Sequence, residues 1–170
     1  LTAECRFEQI DDKVLILNGI DNMSYLDIPT KLVETFTAVN TPSGGGAVAT
    51  GLAGAVSTLS YKVTASINGE SAASTAFTCT VGKVRGGWNG TSEYVTVTAD
   101  RETGAQYYHV YINDANTSTS GEWEYIGSVR DPGSGGTWSF IDTGLVAPDY
   151  TRTAPIADSS AGAKGKRASV

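Results

Sequence analysis

The alternation of apolar and polar positions along the chain is typical of short β-strands. The clearest example lies in residues 59–80, where the segment Tyr61–Ser66 alternates with a period of two. Asn68-Gly69 follows and favours a type I′ hairpin turn, because both central residues of that turn need positive φ. The return strand is predicted from about Ala73 to Val81. A hairpin alone is marginal in water, so the rest of the chain must supply more strands and a second layer.

Further short apolar runs, separated by turn signals, lie before and after this segment. The predicted strands are Lys13–Leu17, Tyr25–Ile28, Lys31–Val39, Tyr94–Thr98, Gln106–Ile112, Trp123–Val129 and Thr137–Ile141. No segment combines helical periodicity with helix caps. Short strands that recur with turn signals about every ten residues predict an all-β sandwich.

Changes in composition divide the chain into four predicted segments. Residues 1–40 form an extended N-terminal arm with a β-hairpin, and residues 41–50 form a Gly-rich linker marked by the run NTPSGGG. Residues 51–150 form the sandwich. The hydrophobic pattern then fades, so residues 151–170 are predicted to be a flexible C-terminal tail.

Composition and charge exclude several classes of function. The formal net charge of −6 argues against nucleic-acid binding, which needs a basic face. No apolar run reaches the length of a membrane span. No signal peptide is recognisable, and the chain starts at Leu1 rather than Met, so it is either a processed product or a fragment of a longer protein.

The residues that could carry chemistry are few. His109 is the single histidine, so neither a Ser-His-Asp triad nor a two-histidine metal site can be built within one chain. Cys5 and Cys79 either pair or remain free thiols, and free thiols are favoured because their spacing matches no disulfide or metal framework. We therefore expect no enzymatic activity, no cofactor and no metal site.

Aromatic residues are concentrated between Trp88 and Trp138. Most are expected to form the core and cross-strand pairs, which stabilise sheets. The functional alternative is a platform on which exposed rings stack against a sugar. Its candidate residues are Trp123, Tyr125 and Trp138, with Trp123 first because it follows a polar loop.

Three stretches resemble a fibronectin type III domain, a member of the immunoglobulin-like sandwiches. SYKVTASINGESAAS resembles its last two strands, YVTVTADRETGAQYYHVYIN its second and third, and WEYIGSV with WSFIDTGL the next two. The resemblance covers roughly 51–145 and departs from the family in strand order and in carrying Ala99 where a core Trp is usual. Either two partial repeats pack together or one sandwich forms in permuted order. The second is favoured, because each half alone has too few strands to close a core.

The overall layout resembles a type of tailed-bacteriophage virion protein. In such proteins a segment similar to KVLILNGIDNMSYLDI precedes a fibronectin-like module whose end is similar to FIDTGLVAPDYTRTAP. The resemblance implies a location in the phage particle and a structural role in a tail, collar or fibre. It also implies partners that are copies of the chain itself and other virion proteins.

Two functional hypotheses follow from the sequence. The first is a non-enzymatic structural component of a phage particle, which assembles through strand edges and terminal arms. The alternative is a carbohydrate- or cell-surface-binding sandwich module of a larger protein, with a host-surface glycan as its ligand. Self-association would distinguish the first hypothesis, and glycan binding the second.

Overall fold

The computed structural model describes residues 6–10, 13–17, 24–35, 38–67, 69–114 and 122–158. The regular elements in these ranges are twelve β-strands and one short 3-10 turn at Arg85–Gly87. The strands are β1 (Arg6–Ile10), β2 (Lys13–Leu17), β3 (Ser24–Asp27), β4 (Leu32–Thr35), β5 (Gly45–Thr50), β6 (Ser57–Ser66), β7 (Phe77–Val81), β8 (Tyr94–Asp100), β9 (Tyr107–Asp114), β10 (Glu124–Arg130), β11 (Thr137–Asp142) and β12 (Asp149–Thr153). The prediction of an all-β protein is confirmed.

The strands form three sheets. Strands β1 to β4 make an antiparallel meander in sequence order. A five-stranded sheet has the order β12-β10-β9-β6-β7, and a three-stranded sheet has the order β11-β8-β5. Strands from both halves of the chain alternate between the last two sheets, which together form a sandwich. The two halves are thus interleaved in one sandwich and do not form two packed repeats.

The core lies between the five-stranded and three-stranded sheets. Because side chains on a strand alternate between its faces, every second residue of β6, β8 and β9 points inward. These buried positions include Leu59, Tyr61, Val63, Ala65, Val95, Val97, Ala99, Tyr108, Val110 and Ile112. Trp138 of β11 lies opposite Ala99 and stacks on Tyr108, with ring centroids 4.6 Å apart. A neighbouring strand therefore supplies the core indole beside Ala99.

The connection between β6 and β7 differs from the predicted tight hairpin. The regular β6–β7 ladder ends at the pair Tyr61–Phe77. Further along, an isolated bridge joins Ser66 to Glu70, so the loop that it closes contains three residues and not the two that were predicted. Asn68 itself lies outside the described residues. The return strand starts at Phe77 rather than near Ala73, because the residues between bulge away from the regular ladder and bind β6 through serine side chains.

Two strands lie where the sequence analysis expected a linker and a tail. β5 falls within the predicted 41–50 linker, and all six of its residues pair with β8. β12 extends into the predicted 151–170 tail and pairs with β10. Both are edge strands whose exposed residues give a weak periodic signal. Residues 159–170 lie outside the described residues.

The N-terminal segment contains more strands than the predicted hairpin. The predicted strand Lys13–Leu17 is confirmed as β2, and the predicted strand at Tyr25 corresponds to β3. β4 lies within the predicted strand Lys31–Val39 and pairs with β3, whereas β1, which was not predicted, pairs with β2. The result is a four-stranded sheet whose hydrogen-bonded ladder is separate from those of the sandwich.

Candidate functional site

The outer face of the five-stranded sheet carries a cluster of polar and aromatic side chains. Strands β9 and β10 place Tyr111 directly opposite Tyr125, with ring centroids 5.8 Å apart in an edge-to-face arrangement. Arg152 of β12 lies over the Tyr125 ring, 4.0 Å from its centroid, which is a favourable cation–π distance. Glu70, from the loop after β6, completes this group, which we call the outer-face cluster.

Glu70 is the centre of the outer-face cluster. Its Oε2 accepts hydrogen bonds from the hydroxyls of Thr64 (2.7 Å) and Tyr111 (2.5 Å), and its Oε1 accepts one from Arg152 Nη2 (2.5 Å). Burial alone would raise the pKa of Glu70, but these hydrogen bonds outweigh it and hold the pKa below its usual value. Burial and then the hydrogen bond to Glu70 raise the pKa of Tyr111. Glu70 therefore stays ionised and Tyr111 stays protonated at neutral pH.

His109 lies beside the same cluster and packs edge-on against Tyr125, with centroids 5.9 Å apart. Its Nδ1 is buried without a hydrogen-bond partner in the described part of the chain. Burial lowers the pKa of His109, the Glu70 charge opposes this shift, and Arg152 adds to it. His109 is thus a neutral imidazole beside a protonated tyrosine and an ionised glutamate. None of these groups is an activated nucleophile. The arrangement is typical of a packed polar network.

The three predicted sugar-stacking residues fall in two different environments. Trp123 and Tyr125 are half-buried and lie near the outer-face cluster, and Lys62 stands over the Trp123 ring at 4.6 Å. Each of these rings therefore has one face covered by a cation of the chain itself. Trp138 is only 3% exposed and stacks on Tyr108 in the core, so its ring is closed to a ligand. This burial removes Trp138 from the candidate platform.

A second polar network is enclosed at one end of the sandwich. Asp142 accepts two hydrogen bonds from the Arg85 guanidinium, at 2.8 and 2.7 Å, and one from the Tyr61 hydroxyl at 3.0 Å. The Gly144 N–H donates a fourth at 3.0 Å. Gly144 has φ 74°, and a Cβ there would lie 2.4 Å from the Arg85 carbonyl oxygen, so glycine is required. With its oxygens fully engaged, Asp142 acts as a structural anchor.

Cys79 gives no reactive site in the described residues. Cys79 is a free, half-buried thiol, and burial followed by the nearby Asp142 raises its pKa to about 11. It is thus a weak nucleophile at neutral pH. Cys5 falls outside the described ranges. Within those ranges, no group of three or more His, Cys, Asp and Glu residues could hold a metal ion.

The N-terminal sheet presents a candidate interaction surface. Residues that face each other across an antiparallel ladder lie on the same side of the sheet, so the register sorts its residues into two faces. One side, which we call the uncharged face, carries Phe7, Gln9, Val14, Ile16, Ser24, Leu26, Val33 and Thr35. Phe7 and Val33 are 68% and 64% exposed, and no residue of β1 to β4 whose side chain is described belongs to the core cluster.

Sequence reasoning missed most of the outer-face cluster. Glu70 and Arg152 are 82 residues apart in the chain, and neither stands in a recognisable motif. Alternation did place Tyr111 and His109 on one face of their strand, and the structure confirms this. Part of the uncharged face could have been found from the predicted strands that became β2, β3 and β4, but β1 was needed to complete it.

Comparison of the chain with protein-family models, with curated proteins and with solved structures finds no match. In the described residues, the fold includes no helix with the length and hydrophobicity needed to span a bilayer.

Proposed function

We propose that the chain is a non-enzymatic structural component of a phage particle, in the tail, collar or fibre, that assembles through its sheets. The observation that carries the proposal is the N-terminal sheet, in which Phe7, Leu32 and Val33 are exposed and no residue with a described side chain belongs to the core cluster. Exposed apolar residues of a sheet are normally buried against a second layer. A subunit that joins neighbours in an assembly would supply that layer.

The sheet edges support the same function. The outermost strands of the sandwich sheets are β5, β7, β11 and β12, each five or six residues long. An edge strand can accept a strand from another chain, which is a common mode of assembly. The polar networks around Glu70 and Asp142 are satisfied internally and support a rigid scaffold more than a reactive centre.

Labelling of phage particles tests the location. An antibody raised against the chain would be used for immunogold electron microscopy of particles released by the organism that encodes it. Gold at a defined position on the tail, collar or fibre would support the proposal. Particles that carry no label, with the chain confined to the soluble fraction, would overturn it. A protein of the same particles with known position would serve as the labelling control.

Glycan binding is the second candidate function, and one observation favours it. Trp123 and Tyr125 are half-exposed and lie beside Lys62, Arg152 and Glu70, so aromatic and charged groups that recognise sugars lie close together. A glycan array with the wild-type chain and with Trp123→Ala would test it. Loss of binding in Trp123→Ala alone, with Trp88→Phe as a buried-indole control, would support the platform. Unchanged binding in Trp123→Ala would exclude it.

A further inference from the structure

We infer that the last strand of the sandwich is exchanged between copies in the assembled form. Residues 149–156, which we call the strap, would dock on a second chain at the place that they occupy on their own. This inference deepens the assembly function proposed above and rests on it, because it names the segment, the site and the partner of one contact. Exchange of an identical element is a low-cost route to an oligomer, since the contacts formed between chains are those already formed within one.

The site that receives the strap is defined by the contacts within one chain. β12 pairs with β10 at two described positions, Glu124 and Tyr125 of β10, and the ladder is irregular between them. Beyond β12, the Ala73 N–H donates to the Pro155 carbonyl oxygen at 3.3 Å. The strap therefore contacts both the edge of β10 and the segment between Glu70 and β7. We call the surface that it covers there the strap site.

Arg152 is the anchor of the strap. Its Nη2 donates to Glu70 Oε1 at 2.5 Å, and its guanidinium carbon lies 4.0 Å from the centroid of the Tyr125 ring and 6.0 Å from that of Tyr111. A planar guanidinium suits this combination, because it pairs with a carboxylate and stacks on an aromatic face, which an ammonium group does less well. The strap site thus selects an extended segment with an arginine, and the strap of an identical chain supplies one.

The strap is held weakly in its own chain. None of its residues is buried, and the side chains of Tyr150 and Ile156 are 75% and 101% exposed. No residue of the strap belongs to the core cluster, and β12 is the outermost strand of its sheet. Because local stability follows buried apolar contact, the strap should open at a lower free energy than the sandwich. The open form keeps its core and can both give and receive a strap.

The connection to the strap allows it to reach a neighbour. The Gly144 N–H is fixed to Asp142 at the end of β11, and residues 145–148 separate Gly144 from the strap. Leu145 and Val146 are 66% and 56% exposed, so burial does not hold this connection in place. The five steps from Gly144 to the first strap residue span roughly 17 Å when extended.

Concentration decides between the closed and the exchanged form. In a single chain, the short connection gives the strap a high effective concentration at its own site, so closure is favoured in dilute solution. Copies held side by side in an assembly present their strap sites to each other at comparable effective concentration. Exchange is therefore expected in the assembly, and the affinity of the site for a strap from outside can be measured directly.

The test offers the strap as a separate molecule, a synthetic peptide of residues 147–158, to the full chain, and follows binding by NMR spectra of the chain. The Arg152→Ala chain is the receptor, because its own strap lacks the anchor and should leave the site open more often. The Arg130→Ala chain is the matched control, because it loses an arginine of β10 and keeps its own anchor. Neither arginine is buried, so both variants should fold, which circular dichroism would verify.

We expect the peptide to bind the Arg152→Ala chain at least about tenfold more tightly than the wild-type or Arg130→Ala chain, whose own straps compete with it. A peptide that carries Arg152→Ala should bind the same receptor at least about tenfold more weakly, because it lacks the group that meets Glu70 and Tyr125. Adding Glu70→Gln to the receptor should weaken binding of the original peptide in the same way.

Two results would overturn the inference. The first is an Arg152→Ala chain that shows no binding at a peptide concentration of about 1 mM. The second is equal affinity of this chain for the peptides with and without the arginine.

The outcomes separate this inference from the proposed function. A chain that is found on phage particles but does not bind the peptide would refute strap exchange and leave the structural role intact. A chain that binds the peptide through Arg152 but is absent from particles would support the strap site and refute the role.

Discussion

At the scale of single residues, the Arg85–Asp142 ion pair is the most buried of the ion pairs in the described residues. It joins the 3-10 turn after β7 to the end of β11 and also holds the Tyr61 hydroxyl. Removing one partner of such a pair is costly, because the other charge is left in a medium of low polarity.

We expect Asp142→Ala to lower the free energy of unfolding by about 3–5 kcal/mol. Chemical denaturation followed by fluorescence would measure the change. Lys83→Ala, which removes an exposed ion pair with Glu93, is the control and should leave stability almost unchanged. An Asp142→Ala variant as stable as the Lys83→Ala variant would show that the network contributes little.

His109 gives a prediction for pH dependence. Its pKa in the folded chain is lowered by burial, so the unfolded chain binds a proton first as the pH falls through about 6.5. The contribution of neutral His109 to stability is full above that pH and is lost as the pH falls toward the folded-state pKa. The stability of the wild type should thus decrease between about pH 7.5 and about pH 5.5 more steeply than that of His109→Gln.

Because His109 is the single histidine, the difference between these two stability profiles reports on this residue. Urea denaturation at each pH would measure it. Parallel profiles for the wild type and His109→Gln would contradict the lowered pKa.

At the scale of elements, β6 depends on two serines that take the place of a regular partner strand. The N–H groups of Val63 and Ala65 donate to the hydroxyl oxygens of Ser74 and Ser71, each at 3.0 Å. The N–H groups of the same serines donate back to the carbonyls of Val63 and Ala65. The chain can therefore leave the ladder after Glu70 and rejoin it at Phe77, because the buried backbone groups of β6 keep hydrogen-bond partners.

We expect Ser71→Ala to destabilise the protein by about 1–3 kcal/mol, because the buried Ala65 N–H loses its acceptor. Ser128→Ala, on an exposed position of β10, is the matched control and should change stability by less than about 0.5 kcal/mol. Thermal unfolding of both variants would provide the comparison. Equal midpoints for the two variants would mean that water or another group replaces the Ser71 hydroxyl.

At the scale of the whole molecule, the sandwich and the N-terminal sheet differ in how they are stabilised. The described core cluster draws on residues from Val39 to Trp138, and none of the described side chains of the N-terminal sheet belongs to it. Local stability follows the amount of buried apolar contact. The two parts should therefore open with different free energies.

Hydrogen exchange measured by mass spectrometry should show this difference. In dilute solution, the amides of β6 and β9 should exchange most slowly, since both strands are central in their sheet and line the core. The amides of β1 to β4 should exchange faster. Equal protection of β2 and β6 in a dilute, monomeric sample would contradict this prediction.

The sequence by itself determined the class of fold. Alternation with a period of two predicted β6, β8, β9, β10 and β11, because strands that line a core must place apolar side chains on one face. The same pattern predicted β2 and most of β3 in the N-terminal sheet. It failed for β5 and β12, which are edge strands with mostly exposed residues and so carry little periodic signal.

Tertiary structure alone decided which residues meet. Arg152 reaches Glu70, and Arg85 reaches Asp142, across strands that are distant in sequence, so no local spacing could have predicted either pair. It also decided that Trp138 belongs to the core while Trp123 lies near the surface, since both occur in similar strand-like sequences. The reason is physical: a strand pattern specifies which side chains share a face, whereas sheet pairing and packing specify what that face meets.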